Sequence, residues 1–265
     1  MGKYSISRVN TFLENPWKHW CKYIAKYEPN DDPEHTKYMD RGTVFHRAME
    51  LMSQSKGNFD YDEVVAQVRK EAEEKGFLEF AQDTGLLAVS RYLDEYGTEP
   101  FEKVKHTEYE LKYDLPNGHE FIGYIDAIID NGDGSVTLVD YKTYSKSPDA
   151  EKLKYSTQAN MYMYVASKLG FKVRRFVFDC VNPAEKVTGR QYKTKRVEFR
   201  YNNFRGEEVF EQFCNLVDII EANPDYKLYT YGDYMPDIYD YLYKVYIGDI
   251  IEDLDEFIEK NFKNS

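Results

Sequence analysis

Cysteine is scarce. Three residues, Cys21, Cys180 and Cys214, lie far apart in 265, and no two form a CxxC pair. An odd, scattered set argues against a disulfide framework and against a four-thiolate zinc or iron–sulfur site. It suits a reducing cytoplasm, the expected compartment. No run approaches the roughly 18 consecutive apolar residues of a membrane span, so no membrane partner is expected. The opening MGKYSISRVNTFLENPWKHW lacks the apolar stretch of a secretory signal, and its Gly2 and Ser5 miss the myristoylation spacing by one position. Internal repeats, low-complexity tracts and long Pro/Gly/Ser linkers are missing too. Positive charge is in deficit, 35 Lys and Arg against 47 Asp and Glu, for a net −12. That balance weighs against nonspecific adhesion to nucleic acid but leaves room for a local basic groove or a metal-dependent site.

What is present suffices for a buried core: 42% hydrophobic and 31% charged residues. Residues 7–27 read as a helix opened by Ser7, with Phe12, Leu13, Trp17, Trp20, Tyr23, Ile24 and Tyr27 on a broad apolar face. A second helix is expected at 40–54, with Asp40 as candidate cap and Val44, Phe45, Ala48, Leu51 and Met52 at helical spacing. Helices at 61–75 and 84–96 follow, making the first hundred residues almost wholly helical. Three strands then come at 103–113, 119–129 and 136–143, separated by the turn signals LPNG and DNGDG, which predicts an antiparallel meander. A helix at about 150–169, strands at 173–180 and 191–199, a helix at 204–221 and a mixed tail complete the chain. The strand after the crossover helix can return parallel to a neighbour, giving an α/β fold with a mixed sheet.

Charge is uneven along the chain. Residues 186–200 carry six basic residues against one acidic, Glu198, a fair candidate for contact with a polyanion. Residues 232–265 carry nine acidic residues against three lysines, and that tail reads as solvated surface.

Two strands break the pattern of buried strands. Asp126 interrupts FIGYIDAII, and Asp140 and Lys142 interrupt VTLVDYKT. Alternation puts Asp140 and Lys142 on the face of Val136 and Leu138. A carboxylate buried without a partner costs several kcal/mol, on the order of what drives it to neutralise. An ion pair of Lys142 with Asp140 or Asp126, without chemistry, leaves one carboxylate unpaired. A divalent cation between the two acids, with the lysine beside it, accounts for all three, and Mg²⁺ fits carboxylate oxygens. The DNGDG turn itself lacks the alternating oxygens of a calcium loop and reads as a hairpin.

The order acid, about fourteen residues, then acid-x-Lys at a strand end resembles the PD-(D/E)XK nuclease superfamily. Further matches resemble its RecB-like exonuclease branch. SISRVNTFLENPWKHW is similar to that branch's opening helix, RGTVFHRAME to its Gly-x-x-x-His helix, GYID and VDYKT to its two acidic strands, and QANMY to its Gln-x-x-x-Tyr helix. They occur in the family's order from residue 5 to residue 162, about three-fifths of the chain.

The resemblance implies a single nuclease domain over 1–265. It would hold a restriction-endonuclease-like core, a mixed central β-sheet flanked by helices, at 100–200. A helical N-terminal part at 1–99 would carry His46, and a C-terminal helical elaboration would occupy 201–265. It implies metal ligation by His46, Asp126, Asp140 and the Tyr141 carbonyl, and catalytic roles for Asp126, Asp140 and Lys142. Gln158 and Tyr162, four apart and so on one helix face, would bind near Lys142 and to nucleic acid. Gly42, on the helix of His46, would let that helix pass close to another backbone. Glu108 and Glu110 are equally eligible as a further ligand. The implied cofactor is Mg²⁺, with Mn²⁺ able to substitute.

Ile125 stands where the superfamily's proline would be, and Asn15 where some relatives place the first cysteine of an iron–sulfur cluster, so no such cluster is expected. The implied activity is Mg²⁺-dependent hydrolysis of DNA, by an exonuclease acting on linear ends. No GxxxxGK[ST] loop is present, so unwinding would come from a helicase or recombination partner. A catalytically silent DNA-binding or interaction protein of the same fold, and a structure- or sequence-specific endonuclease, are the alternatives. A small nuclease of this branch without helicase domains suits a bacterial virus or mobile element.

Overall fold

In a computed structural model of the chain, residues 1–30, 33–144, 146–184, 186, 192–230 and 237–263 are described. In chain order the elements are β1 (Lys3–Tyr4), α1 (Ile6–Glu14), α2 (Pro16–His19) running into a π-helical turn (Trp20–Ile24), β2 (Glu28–Pro29), α3 (Pro33–Gln54), α4 (Tyr61–Glu74), α5 (Glu79–Tyr96) and α6 (Glu99–Glu102). Then follow β3 (Val104–Asp114), β4 (Glu120–Asp130), β5 (Val136–Thr143), α7 (Ala150–Lys154), α8 (Thr157–Lys168), β6 (Val173–Val181), β7 (Thr194–Arg200), α9 (Asn203–Ala222), α10 (Ile238–Tyr246), α11 (Leu254–Asn261) and β8 (Phe262–Lys263). No helix among the described residues is long and apolar enough to cross a membrane.

The backbone forms two compact units. One comprises Asp32–Tyr113 and Gly123–Phe210, the other Met1–Asp31, Asp114–Ile122 and Glu211–Ser265. In the first, β4 and β5 pair antiparallel across the DNGDG turn, whose glycines 132 and 134 take φ of 79° and 77°. That turn is a hairpin, closed by Asn131 N–H to the Ser135 carbonyl at 3.0 Å. The crossover through α7 and α8 returns the chain as β6, parallel to β5, and β7 pairs antiparallel with β6. The sheet is therefore mixed, as expected, with helices packed on it.

The expected helix at 150–169 is two helices. Ser156 leaves helical geometry and accepts the Ala159 N–H, capping α8. The expected strand at 191–199 begins at Thr194, and Arg190 of the basic stretch lies outside the described residues.

α3 is longer than the spacing of its apolar residues suggests. Asp40 is inside it rather than at its start, and accepts a hydrogen bond from the Thr36 hydroxyl at 2.7 Å. Phe45, Ala48, Met49 and Met52 on its inner face are fully buried with Val89 and Tyr92 of α5 and Tyr141 of β5. Each large side chain buried there contributes about 1.5–3 kcal/mol. The close approach of α3 to another helix is made at Gly85 of α5, not at Gly42. A Cβ at Gly85 would lie 2.6 Å from Val44 Cγ1 and 2.9 Å from the Arg41 carbonyl, whereas one at Gly42 would meet nothing within 4 Å.

In the second unit, β1 lies parallel to the start of β4, with Lys3 opposite Glu120. The expected helix at 7–27 is broken. Its cap is Ser5, which accepts the Arg8 N–H at 3.2 Å, rather than Ser7. It stops at Asn15 because the ring of Pro16 disfavours helical geometry in the preceding residue, and Asn15 is extended at φ −154°. The Asn15 side chain then caps α2 through the Lys18 N–H and donates to the Thr230 carbonyl. Trp17 is buried with Tyr239, Leu242, Val245, Phe257 and Phe262, and its indole N–H donates to the Tyr239 carbonyl at 3.0 Å. β2 and β8 form a short antiparallel pair.

Candidate active site

The residues singled out in the sequence lie in one compact unit, and most converge where β4 and β5 stop pairing. The last register pair of that ladder is Ala127 with Val139. One residue further, the Asp126 carboxylate takes the place of a ladder rung and accepts the Tyr141 N–H at 2.6 Å. α3 delivers His46 to the same carboxylate, with Nδ1 at 3.4 Å from Asp126 Oδ2. Glu108 of β3 completes the group: one ligand atom each from His46, Glu108 and Asp126 lies within 4.8 Å of the others. Glu108 reaches there from a backbone at φ +46°, a conformation L-residues seldom adopt. Glu110 is turned to other partners, the Tyr124 hydroxyl at 2.9 Å and the Lys112 ammonium at 2.6 Å.

Asp140 is 3% exposed and sits beside this group in a separate cluster. Lys142 Nζ lies 2.8 Å from its Oδ2, and Gln158 Nε2 donates to its Oδ1 at 3.3 Å. Alternation along β5 is the cause: Asp140 and Lys142 share a face. Tyr141, between them, points its ring the other way into the core, edge-on to Phe45 and Tyr92. Tyr162, one turn after Gln158 on α8, is 8% exposed. Its ring abuts Gly123, where a Cβ would come within 2.7 Å.

Electrostatics follow from this crowding. Burial pushes the Glu108 carboxyl up to about 7, with the Asp126 carboxylate adding to the rise. Burial likewise raises Asp140, to about 6, against the pull of Lys142. Burial alone would depress His46; the Asp126 and Asp140 carboxylates outweigh it and hold the imidazole above its ordinary value. Lys142 is raised for the same reason, burial being outweighed by Asp140 and Asp126. One imidazole nitrogen and two carboxylates that repel each other form a donor set suited to a hard or borderline divalent cation.

The sequence singles out His46, Asp126, Asp140, Lys142 and Gln158 as candidates and leaves Glu108 and Glu110 equal; the structure puts Glu108 beside His46 and Asp126. Glu108 takes a positive φ that no residue type announces.

The sequence model of the PD-(D/E)XK nuclease superfamily matches residues 3–231. Over 177 residues, 62% of the chain, the sequence is 25% identical to one subunit of the ATP-dependent helicase/deoxyribonuclease of Streptococcus agalactiae. The corresponding subunit of Streptococcus equi subsp. zooepidemicus is 25% identical over 178 residues. The aligned part is 16% of each relative, so the chain spans about one-sixth of their length. Among solved structures, a candidate exonuclease from Eubacterium rectale shares the fold at a TM-score of 0.53 and 12% identity, over 84% of this chain and 82% of that one.

Proposed function

Because the chain belongs to the PD-(D/E)XK nuclease superfamily, we propose that it is a divalent-cation-dependent deoxyribonuclease that degrades linear DNA from its ends. The observation that carries this reading is the convergence of His46, Glu108 and Asp126 within 4.8 Å, beside an Asp140–Lys142 pair at 2.8 Å. Mg²⁺ is the proposed ion, with Mn²⁺ accepted because of the imidazole.

His46, Asp126 and Glu108 would hold the cation, with Asp140 and the Tyr141 carbonyl as the ligands on β5. Bound there, a divalent ion would supply positive charge near the phosphate and lower the pKa of a water. Asp126 is kept in place by the Tyr141 N–H. Lys142, paired with Asp140 at 2.8 Å, would orient the attacking water and neutralise charge growing on the phosphate. Gln158 fixes the second oxygen of Asp140, which leaves Lys142 one defined position. The water would give up a proton to solvent and form the new P–O bond as the P–O bond to the departing oxygen breaks, and that oxygen would take a proton from solvent. Tyr162, buried against Gly123, would act from behind the strand that receives nucleic acid, by positioning it.

A helicase partner or a further domain would supply unwinding, as the helicase/deoxyribonuclease names of the relatives suggest. The test is degradation of linear single- and double-stranded DNA with and without Mg²⁺, using Asp140→Asn and Lys142→Ala as controls. Loss of degradation in both variants is expected; equal degradation by wild type and variants overturns the assignment. Covalently closed circles should resist, and their cleavage would make the enzyme an endonuclease.

A further inference from the structure

Tyr124 is the exposed ring of this site. It is 49% exposed, two residues before Asp126 on β4. Its hydroxyl donates to Glu110, and Asp126 meets Glu108. These two cross-strand pairs step by two residues in opposite directions, as adjacent rungs on one face of an antiparallel ladder do. Tyr124 and Asp126 therefore share a face, about 7 Å apart along the strand.

The ring is held at both ends. Glu110 fixes the hydroxyl and is itself fixed by Lys112 at 2.6 Å. The backbone of Tyr124 is hydrogen-bonded to the Tyr162 hydroxyl, which also meets Gln158. Gln158 in turn donates to Asp140. A chain of contacts thus runs from the Lys142-paired carboxylate through Gln158 and Tyr162 to the strand that carries Tyr124. Tyr162, at 8% exposure and pressed on Gly123, stands behind that strand.

Resting on the nuclease reading above, we propose that Tyr124 is a base-stacking platform. It would hold an unstacked nucleobase of a single strand beside the phosphate to be cut, while Tyr162 and Glu110 position it. An aromatic face aligned next to a phosphate site is what recognition of single strands without sequence preference requires. A base inside a duplex has both faces covered, so the platform selects frayed or single-stranded ends.

The test walks a single abasic residue along a linear single-stranded oligonucleotide. In the wild type, KM should rise about tenfold, equivalent to about 1.4 kcal/mol, when the abasic residue falls beside the cleaved phosphate. Tyr124→Ala should show that higher KM on intact oligonucleotide, with kcat moving much less, and no further response to the abasic residue. Tyr124→Trp should restore the response, and Phe204→Ala, removing a ring 77% exposed elsewhere, should leave it unchanged. A Tyr124→Ala enzyme that still senses the abasic residue, or one that loses kcat at unchanged KM, overturns the platform. Should the wild type cleave no DNA with any divalent ion, the nuclease reading fails by itself. Fluorescence anisotropy with the same intact and abasic oligonucleotides then decides the platform: Tyr124-dependent preference for the intact strand upholds it, and its absence overturns it.

Discussion

The Asp126 carboxylate and the Tyr141 backbone are joined by a hydrogen bond of 2.6 Å that replaces the next rung of the β4–β5 ladder. One side chain thereby closes the end of the β4–β5 pairing and faces His46. The two tasks separate by mutation. Asp126→Asn keeps an oxygen for the Tyr141 N–H, so urea unfolding should stay close to wild type while cleavage falls on the order of 10²–10³-fold. Asp126→Ala should lose the same activity and also about 1–2 kcal/mol of stability, from the unsatisfied N–H. An Asn variant as active as wild type removes Asp126 from the site.

Lys142 and Asp140 form a pair in which the acid is buried and the lysine side chain is 31% exposed. Lys142→Met strands a buried carboxylate, so chemical denaturation should show a loss of between about 1 and 3 kcal/mol. Adding Asp140→Asn to it should recover part of that loss, giving a coupling energy in a double-mutant cycle. Additive effects would show that the pair is not coupled in solution.

Glu108 and Glu110 should differ in metal binding although they are two residues apart. Calorimetric titration with Mn²⁺ is expected to show affinity weakened more than tenfold in Glu108→Gln, the size expected when a group that holds or supports a metal is lost. Glu110→Gln should change it little, since Tyr124 and Lys112 engage that carboxylate. Equal effects would remove Glu108 from its assigned place beside His46 and Asp126.

Protons compete with the cation. Glu108 near 7, Asp140 near 6 and a raised His46 must all be deprotonated to serve as ligands. Mn²⁺ affinity should therefore climb with pH through this range, with proton release seen in buffers of different ionisation heat. Without metal the sign reverses. A carboxyl whose pKa is raised by folding binds a proton that the unfolded chain has released, so melting temperature should fall as pH rises from about 4.5 to 7. Glu108→Gln should flatten that fall.

Two glycines on packed helices should respond in opposite ways to alanine. At Gly85 the added methyl meets Val44 and the Arg41 carbonyl under 3 Å, which should cost about 1–3 kcal/mol and shift the helix that carries His46. At Gly42 the space is open and helix propensity favours alanine by about 1 kcal/mol, so the melting temperature should rise. Destabilisation by Gly42→Ala would place a neighbour there after all.

The order of elements was readable because each follows from local rules. β5 at Val136–Thr143 matches its expected bounds, since β-branched residues run between a glycine turn and a polar end. Breaks inside the expected helices were missed, although Pro16 and Ser156 carry the reason for both. The apolar stripe runs on across both breaks, so periodicity alone does not mark them. The acid–lysine motif was equally visible, because charge inside an apolar strand is expensive and demands an explanation.

The sequence by itself determined the strand and helix types, the family and the candidate residues of the site. Those depend on side-chain identity and on spacings of two or 3.6 residues. Only the tertiary structure decided which groups share a place. It set Glu108 rather than Glu110 against His46, turned Tyr162 inward and left Tyr124 facing outward. Such choices depend on the φ of one residue and on the closeness of one glycine to one ring, which long-range packing fixes and local patterning leaves free.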